Sequence, residues 1–263
     1  MKKHNILFLT TLVITFLFAS CKPKVEKQIA SNNEKLLFAT LFVQQSAEYK
    51  ALCYQAYNLG RLQLDKAIAA NKINKKLAVV VDIDETVLDN SPFEAKCILE
   101  NTNYPINWVE WCKEAKAESI AGALDFLNYA KEKGVETFYI SNRKVEVLDA
   151  TLANLISNGF PFADSAHLLL RASINDKEPR RDLVKENFEI VLLFGDNLGD
   201  FSNLFDDKNT SDRYSMVEEM KAEFGSRFIV LPNPMYGSWD AAMMHGLQIN
   251  NKDSVYKARL KSF

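Results

Sequence analysis

Two carboxylates, Asp82 and Asp84, follow directly on the apolar run 77–81. A short run of this kind, rich in β-branched residues, predicts a buried strand of a parallel sheet. Two acidic side chains at the end of such a strand repel each other and lose hydration unless a cation offsets their charge. The pair therefore indicates a site for a divalent cation and, with it, phosphate chemistry. The alternative is a strand that ends in a polar turn, where Asp is common.

Strand and helix patterns alternate along the rest of the chain. The predicted strands cover residues 77–83, 135–140, 167–170, 190–194 and 227–231, and the predicted helices cover 121–133, 145–158, 179–187 and 215–224. This alternation predicts an α/β fold, a Rossmann-like parallel sheet with helices on both faces. Ligands of such sheets bind at the carboxyl ends of the strands.

Polar residues follow three of the predicted strands. Asp82 and Asp84 follow the first, the sequence Ser141-Asn142-Arg143 follows the second, and the sequence Gly-Asp-Asn-Leu-Gly-Asp at 195–200 follows the fourth. Because the strands belong to one sheet, we expect these residues to converge on a single crevice.

The N-terminus has the pattern of an export signal, with two lysines before an apolar stretch at 6–19 that is too short to span a bilayer comfortably. The sequence Phe-Ala-Ser-Cys ending at Cys21 resembles a bacterial lipoprotein processing site, in which the cysteine is acylated. The alternative is a secretory signal cut near Ser20. Acyl chains on Cys21 would attach the protein to a membrane, and we predict a lipid-anchored protein of the bacterial cell envelope, in the outer membrane.

These patterns divide the chain into successive segments. They are a lipoprotein signal peptide at 1–20, a tether at 21–35, an N-terminal helical segment at 36–75, and a core at 76–263 with a cap insertion at about 87–122. The helical segment is expected to break near Ser46 or Gly60 and to pack on the core.

Composition excludes some classes of function. Hydrophobic residues make up 48% of the chain and charged residues 25%, as in ordinary globular proteins. A net charge of −2 argues against binding to a nucleic acid polymer. Cys53, Cys97 and Cys112 are expected to be small buried apolar residues, and Cys97–Cys112 is the pair close enough in sequence to offer a disulfide.

Several motifs in order resemble the haloacid dehalogenase-like phosphatase superfamily. They are Asp-x-Asp at Asp82 and Asp84, Ser141 after the second strand, Lys177 further on, and the late acids Asp196 and Asp200. The stretches 82–92, 108–111, 141–143, 195–198 and 231–239 narrow the resemblance to class C acid phosphatases, bacterial outer-membrane lipoproteins of the lipoprotein e type. The resemblance covers roughly residues 36 to 245.

The resemblance implies a role for each residue of the motifs. Asp82 would attack phosphorus and form an aspartyl-phosphate, Asp84 would act as general acid and then base, and Ser141 and Lys177 would bind the phosphoryl oxygens. Mg²⁺ would be held by Asp82, Asp196 and the backbone carbonyl of Asp84. Asp200, Asn142 and Arg143 are expected to support this site from behind, and Asp89 and Asn90 are expected to shape a turn.

The resemblance also implies a class of substrate. The family stacks an aromatic or nicotinamide base between aromatic rings, and Trp108 and Tyr236 match those positions with Phe93 nearby. This implies phosphate monoesters as substrates: nucleoside monophosphates, nicotinamide mononucleotide and aryl phosphates. The resemblance further hints at a homodimer.

Other classes of protein compete with this interpretation. A non-catalytic surface lipoprotein that binds a nucleotide or another small ligand would need neither Asp84 nor Lys177. A receiver domain also carries an Asp on a parallel sheet, but the export signal separates it from cytoplasmic kinases. A dehalogenase usually lacks an acid two residues after the nucleophile, and His167 and His245 lack the Arg-His-Gly context of histidine phosphatases.

Overall fold

The computed structural model describes residues 34–71, 75–248 and 252–263. The predicted signal peptide, Cys21 and most of the tether lie outside these residues. No helix within the described ranges is both long and apolar enough to cross a membrane.

A five-stranded parallel sheet forms the centre of the fold. Its strands are β1 (Lys76–Val81), β4 (Glu136–Lys144), β5 (Leu168–Arg171), β6 (Phe188–Gly195) and β7 (Phe228–Val230), and their spatial order is β5-β4-β1-β6-β7. The short strands β2 (Leu88–Asp89) and β3 (Glu118–Ser119) pair antiparallel at the two ends of the cap insertion. The predicted α/β sheet is therefore confirmed, with β1 at its middle.

Ten α-helices surround this sheet in the part of the chain that the structure describes. They are α1 (Glu34–Gln45), α2 (Ala47–Ala70), α3 (Ser91–Glu100), α4 (Trp108–Glu114), α5 (Ala123–Glu132), α6 (Leu148–Ser157), α7 (Glu178–Asn187), α8 (Thr210–Glu219), α9 (Ser238–Met244) and α10 (Lys252–Arg259). Alternate residues of β1 enter two separate apolar clusters, Val79 and Val81 on one face and Ala78 and Val80 on the other. Both faces of the sheet are therefore covered, as its nearly continuous apolar strands require.

The N-terminal helices break at Ser46 and not at Gly60. The Ser46 side chain accepts a hydrogen bond from the Tyr49 amide, 3.0 Å away, which caps the start of α2. Gly60 lies inside α2, where the absence of a side chain leaves room for a neighbouring ring. A Cβ there would lie 2.4 Å from the ring of Phe194. Tyr57 of the same helix stacks on Phe194, with the ring centroids 5.3 Å apart. Helix α2 therefore packs directly on strand β6.

The predicted bounds of one helix and one strand were wrong. The helix predicted at 215–224 lies at Thr210–Glu219, because Asn209 caps its start by accepting from the Asp212 amide at 3.0 Å. Strand β4 continues to Lys144, past the predicted end at 140, with a shift of register between Ser141 and Lys144. Such irregularities re-aim side chains beside functional sites, and here Ser141 and Arg143 become buried.

The three described cysteines are buried and form no disulfide with one another. This confirms the expectation that Cys53, Cys97 and Cys112 are small core residues, and no Cys97–Cys112 disulfide forms.

Candidate active site

Three carboxylates meet at the carboxyl edge of the sheet. Asp82 follows β1 and Asp196 follows β6, and the two strands are neighbours in register, with Val81 opposite Phe194. The Asp82 amide donates to the Phe194 carbonyl at 3.0 Å, which continues the ladder to the site. One carboxylate oxygen from each of Asp82, Asp196 and Asp200 lies within 4.8 Å of the others. The structure thus brings together acids that are more than a hundred residues apart in sequence.

A tight turn after β6 places Asp200 in this cluster. The backbone N–H of Asn197 donates to Asp200 Oδ2 at 2.9 Å, and the Asn197 side chain closes the reciprocal capping box. Asp200 folds back so closely on Gly195 that a Cβ there would lie 2.4 Å from the Asp200 side chain. Glycine is therefore required at the end of β6. Asp200 was expected to support the site from behind, but it also takes part in the carboxylate cluster.

Lys177 supplies the positive charge of the cluster. Its side chain is buried and forms an ion pair with Asp82 and another, at 2.7 Å, with Asp200. Lys177 immediately precedes α7, and the first turn of that helix holds it at the carboxyl edge of the sheet. The neighbouring basic residues Arg180 and Arg181 do not contact the carboxylate side chains of the cluster.

The acids of the site outnumber its cation. Burial raises the pKa of Asp82 to about 7, although Lys177 opposes the shift. Burial, with Asp200 and Asp82 nearby, raises the pKa of Asp196 well above its ordinary value. Burial by itself lowers the pKa of Lys177, but Asp200 and Asp82 raise it above its ordinary range. One lysine shared between two acids, with a third close by, leaves an excess of negative charge.

This donor set fits a metal ion. Asp82, Asp196 and Asp200 offer hard carboxylate oxygens close enough to one another to bind one cation. A divalent cation would offset the charge that raises the pKa of Asp82 and Asp196. The expected contribution of the Asp84 backbone carbonyl stays a prediction.

Asn197 and Asn233 orient Asp196. Their side-chain amides donate to Asp196 Oδ2 at 2.9 and 2.8 Å. Asn233 lies within the stretch 231–239 that carries the resemblance, but no role was predicted for it. The signal was present: Asn233 follows β7, so it lies at the same carboxyl edge as the other polar residues. Both amides bind Oδ2, so Oδ1 of Asp196 is available to a metal ion.

Asp84 points to a different set of partners. Arg143 Nε donates to Asp84 Oδ1 at 2.9 Å, and its Nη2 lies 2.8 Å from the same oxygen in an ion pair. The Asn90 side-chain amide donates to this oxygen as well, at 2.8 Å. Arg143, which was expected to support the site, contacts Asp84 directly. Asn90 was expected only to shape a turn. Its side chain makes no helix-capping bond and joins the site instead, which no local sequence signal indicates.

Glu85 is a further acid beside the site, and no role was predicted for it from the sequence. It is fully buried and has a φ of 56°. Its carboxylate accepts from the backbone N–H of Asn90 at 2.8 Å. Burial, with the charges of Asp84 and Asp196, raises its pKa well above the ordinary value. Asp89 behaves as expected, because it accepts from the Ser91 amide at 2.8 Å and shapes the turn before α3.

Arg180 ties the Ser141 loop to the Lys177 loop. Its guanidinium donates to the Ser141 carbonyl and to the Asn142 side chain, both at 2.7 Å, and to the Asp176 carbonyl at 3.1 Å. Ser141 is fully buried, and its hydroxyl accepts from the Arg143 amide at 3.1 Å. Asn142, which was expected to support the site, contacts Arg180 through its side-chain oxygen.

Arg181 does a similar task on the other side of the cluster. It donates to the Asp200 carbonyl at 2.8 Å and to the Gly199 carbonyl at 3.2 Å. The three basic residues of the stretch 177–181 therefore serve three different loops.

Aromatic side chains of the cap insertion lie beside Arg143. The ring of Trp108 contacts Phe93 edge to face, with centroids 5.0 Å apart, and Tyr104 at 5.8 Å. The Arg143 guanidinium lies 5.6 Å from the Trp108 ring centre. Phe93 is fully buried, so it supports Trp108 and offers no open face of its own. Tyr236 is half-buried against the main core, and no ring contact between described residues joins it to Trp108.

A cleft opens between Trp108 and the end of β4. Its walls include Tyr104 and Trp108 from the insertion and Asn142 and Lys144 from β4.

Comparisons with known proteins agree with this geometry. The family model described as HAD superfamily, subfamily IIIB (acid phosphatase), matches residues 20–239. A solved class C acid phosphatase from Bacillus anthracis is 46% identical, with a TM-score of 0.84 over 88% of this chain and 98% of that one. A structure of that phosphatase with tungstate bound is also 46% identical, with a TM-score of 0.85 over 89% of this chain and 99% of that one.

A more distant curated relative is the Stem 31 kDa glycoprotein of Glycine max. It is 26% identical over 165 residues, which are 60% of this chain. The chain spans 58% of the length of that protein.

Proposed function

Because the chain belongs to subfamily IIIB of the HAD superfamily, the acid phosphatases, we propose that it is a Mg²⁺-dependent phosphomonoesterase that uses an aspartyl-phosphate intermediate. One observation carries the proposal: Asp82, Asp196 and Asp200 present oxygens within 4.8 Å of one another, and Lys177 pairs with two of them. The tungstate bound by the Bacillus anthracis enzyme supports it, since tungstate is a tetrahedral oxyanion like phosphate.

Mg²⁺ would be held by Asp82 and Asp196, with Asp200 close by. Bound there, it would neutralise part of the charge of a phosphate dianion, so that a carboxylate can approach it. Lys177 acts in the same direction, because its ammonium group lies beside the Asp82 carboxylate. Ser141 and Lys177 would bind the phosphoryl oxygens, on which charge concentrates during transfer.

Asp82 is the nucleophile of the proposed reaction. Its carboxylate oxygen attacks phosphorus, the bond from phosphorus to the ester oxygen breaks, and Asp84 gives its proton to the departing alcohol. In the second step Asp84 takes a proton from water, whose oxygen attacks phosphorus and releases inorganic phosphate and free Asp82. The partners of Asp84 suit this role: every donor among the described residues lies on Oδ1, which leaves Oδ2 for proton transfer.

A substrate panel with and without Mg²⁺ tests the proposal. The full chain in detergent should release phosphate from p-nitrophenyl phosphate and nucleoside monophosphates only with Mg²⁺. Asp82→Asn should lower kcat/KM by about 10³-fold or more, whereas Asp125→Asn, an exposed acid on α5, should leave it unchanged. Turnover that survives without Mg²⁺ or in Asp82→Asn would refute the mechanism.

Acid quenching during turnover tests the covalent intermediate. With substrate labelled by ³²P in the phosphoryl group, label should stay on the native chain and be absent from Asp82→Asn. Absence of label on the native chain at several quench times, while turnover continues, would argue for direct attack by water.

The substrates we propose are nucleoside monophosphates, nicotinamide mononucleotide and aryl phosphates. Trp108, supported from behind by Phe93, faces a cleft beside Asn142 and offers a surface on which a base can stack. Stacking of this kind is worth roughly 1–3 kcal/mol and tolerates many bases. Trp108→Ala should therefore raise KM for nucleotides about tenfold and change KM little for a small alkyl phosphate. Equal effects on both would argue against stacking.

We further propose that Cys21 carries the lipid that attaches the protein to the bacterial envelope. The sequence around it supports this site. Cells fed radiolabelled palmitate should label the native chain and not Cys21→Ser. Labelling of both the native chain and Cys21→Ser would show that the lipid is attached at another residue or that the labelling is not specific.

A further inference from the structure

Helix α4 of the cap insertion reaches the acid Asp84 through one indole N–H. Trp111 Nε1 donates to Asn90 Oδ1 at 2.8 Å, and Arg143 Nη2 donates to the same oxygen at 3.2 Å. An indole N–H and a guanidinium can only donate, so the Asn90 atom that they share must be the amide oxygen. Its amide nitrogen then has to face the other way, toward Asp84.

The Asn90 nitrogen lies between two carboxylates. It donates to Asp84 Oδ1 at 2.8 Å and approaches Glu85 Oε2 at 3.4 Å, while the Asn90 backbone N–H donates to Glu85 Oε1 at 2.8 Å. Asn90 is fully buried, so water does not compete for these bonds. With Arg143 Nε, it places two hydrogen bonds on one oxygen of Asp84, and no described residue donates to the other. This sets the rotation of the Asp84 carboxyl group about its own axis.

We propose that Trp111 and Asn90 are positioning residues for the general acid, and that they couple the cap insertion to proton transfer by Asp84. The inference rests on the proposed function, since it takes Asp84 to be the acid. Trp111 holds the Asn90 amide in the one orientation that can donate to Asp84. Without the indole N–H, one of the two hydrogen bonds on Asn90 Oδ1 is lost, so the Asn90 amide is held less firmly and Asp84 turns more freely.

The same helix also contacts the second donor to Asp84. Trp108 lies one helical turn before Trp111, and its ring meets the Arg143 guanidinium. Both groups that hold Asp84 therefore touch α4. The helix that forms one wall of the substrate cleft therefore also orients the Asp84 carboxyl group. Proton transfer by Asp84 then depends on correct packing of the cap insertion.

Leaving-group dependence distinguishes positioning from a merely structural role. A simple alkyl phosphate needs its leaving oxygen protonated, whereas p-nitrophenolate departs without help. The parameter kcat/KM reports the steps up to departure of the alcohol or phenol, and so isolates the first half of the reaction. Trp111→Phe keeps an aromatic ring but removes the N–H together with part of the fused ring. Trp239→Phe is the matched control, since Trp239 donates to the Tyr236 carbonyl at 3.2 Å on an exposed surface.

Trp111→Phe should lower kcat/KM about 10- to 100-fold for the alkyl phosphate and less than about threefold for p-nitrophenyl phosphate, while Trp239→Phe changes neither. Asn90→Ser should show the same difference between the two substrates, and it tests the inference where Trp111→Phe does not fold. Equal losses for both substrates in a folded variant, or no loss, would overturn the inference. If the native chain lacks Mg²⁺-dependent turnover, or if turnover survives Asp82→Asn, the proposed function fails first.

Discussion

Glu94 lies in the first turn of α3, within the cap insertion, and its side chain is buried. Burial alone raises its pKa from 4.5 to about 7. A folded-state pKa above the unfolded value means that, between these two values, the folded protein holds a proton that the unfolded chain has released. The contribution of this group to stability is therefore full below pH 4.5 and is lost as the pH rises toward 7.

The size of the effect follows from the shift. Each pKa unit corresponds to about 1.36 kcal/mol, so a move from 4.5 to about 7 costs the native protein about 3 kcal/mol at pH 8 relative to pH 4. Glutamine has nearly the shape of the protonated acid and does not titrate. Glu94→Gln should therefore match the native protein in stability near pH 4 and exceed it by about 3 kcal/mol near pH 8.

Urea unfolding at half-unit steps from pH 4 to pH 8.5, followed by tryptophan fluorescence, measures this difference. Taking the difference between variant and native protein removes the titration of the other groups. Glu100→Gln is the control, because Glu100 lies on the same helix, exposed and paired with Lys96 at 3.3 Å. A difference between Glu94→Gln and the native protein that does not change with pH would refute the reasoning, as would the same slope in Glu100→Gln.

Two further substitutions test the packing and the loops of the site. Gly60→Ala should destabilise the protein by about 1–3 kcal/mol, measured by urea unfolding, because the added Cβ would lie 2.4 Å from the Phe194 ring; a more stable variant would show that helix propensity outweighs the clash. Arg180→Lys should lower kcat/KM about tenfold for all phosphate esters alike, because it loosens the carbonyl of Ser141 that Arg180 holds at 2.7 Å. Steady-state kinetics measure this loss, and the control Arg227→Lys, which changes an exposed arginine, should leave kcat/KM unchanged. Losses in Arg180→Lys that differ between substrates would contradict the proposed role of Arg180 in holding the Ser141 carbonyl.

The sequence by itself determined the sheet and the place of the site. Apolar runs bounded by polar residues predicted all five parallel strands, and the polar residues that end them predicted one crevice. Parallel strands of one sheet share a carboxyl edge, so Asp82 and Asp196 had to come close once β1 and β6 were neighbours. The order of the motifs then sufficed for the family. Boundaries at 144 and 210 were missed because a strand irregularity and a helix cap decided them.

Only the tertiary structure decided which polar group contacts which. In sequence, Lys177, Arg180 and Arg181 are nearly equivalent cations, yet only Lys177 pairs with the carboxylates of the cluster. Asn90 reads as a turn residue, but it joins Asp84 to the cap insertion. The reason is physical: the choice of a hydrogen-bond partner depends on distances between segments remote in the chain, and local patterns do not specify those distances.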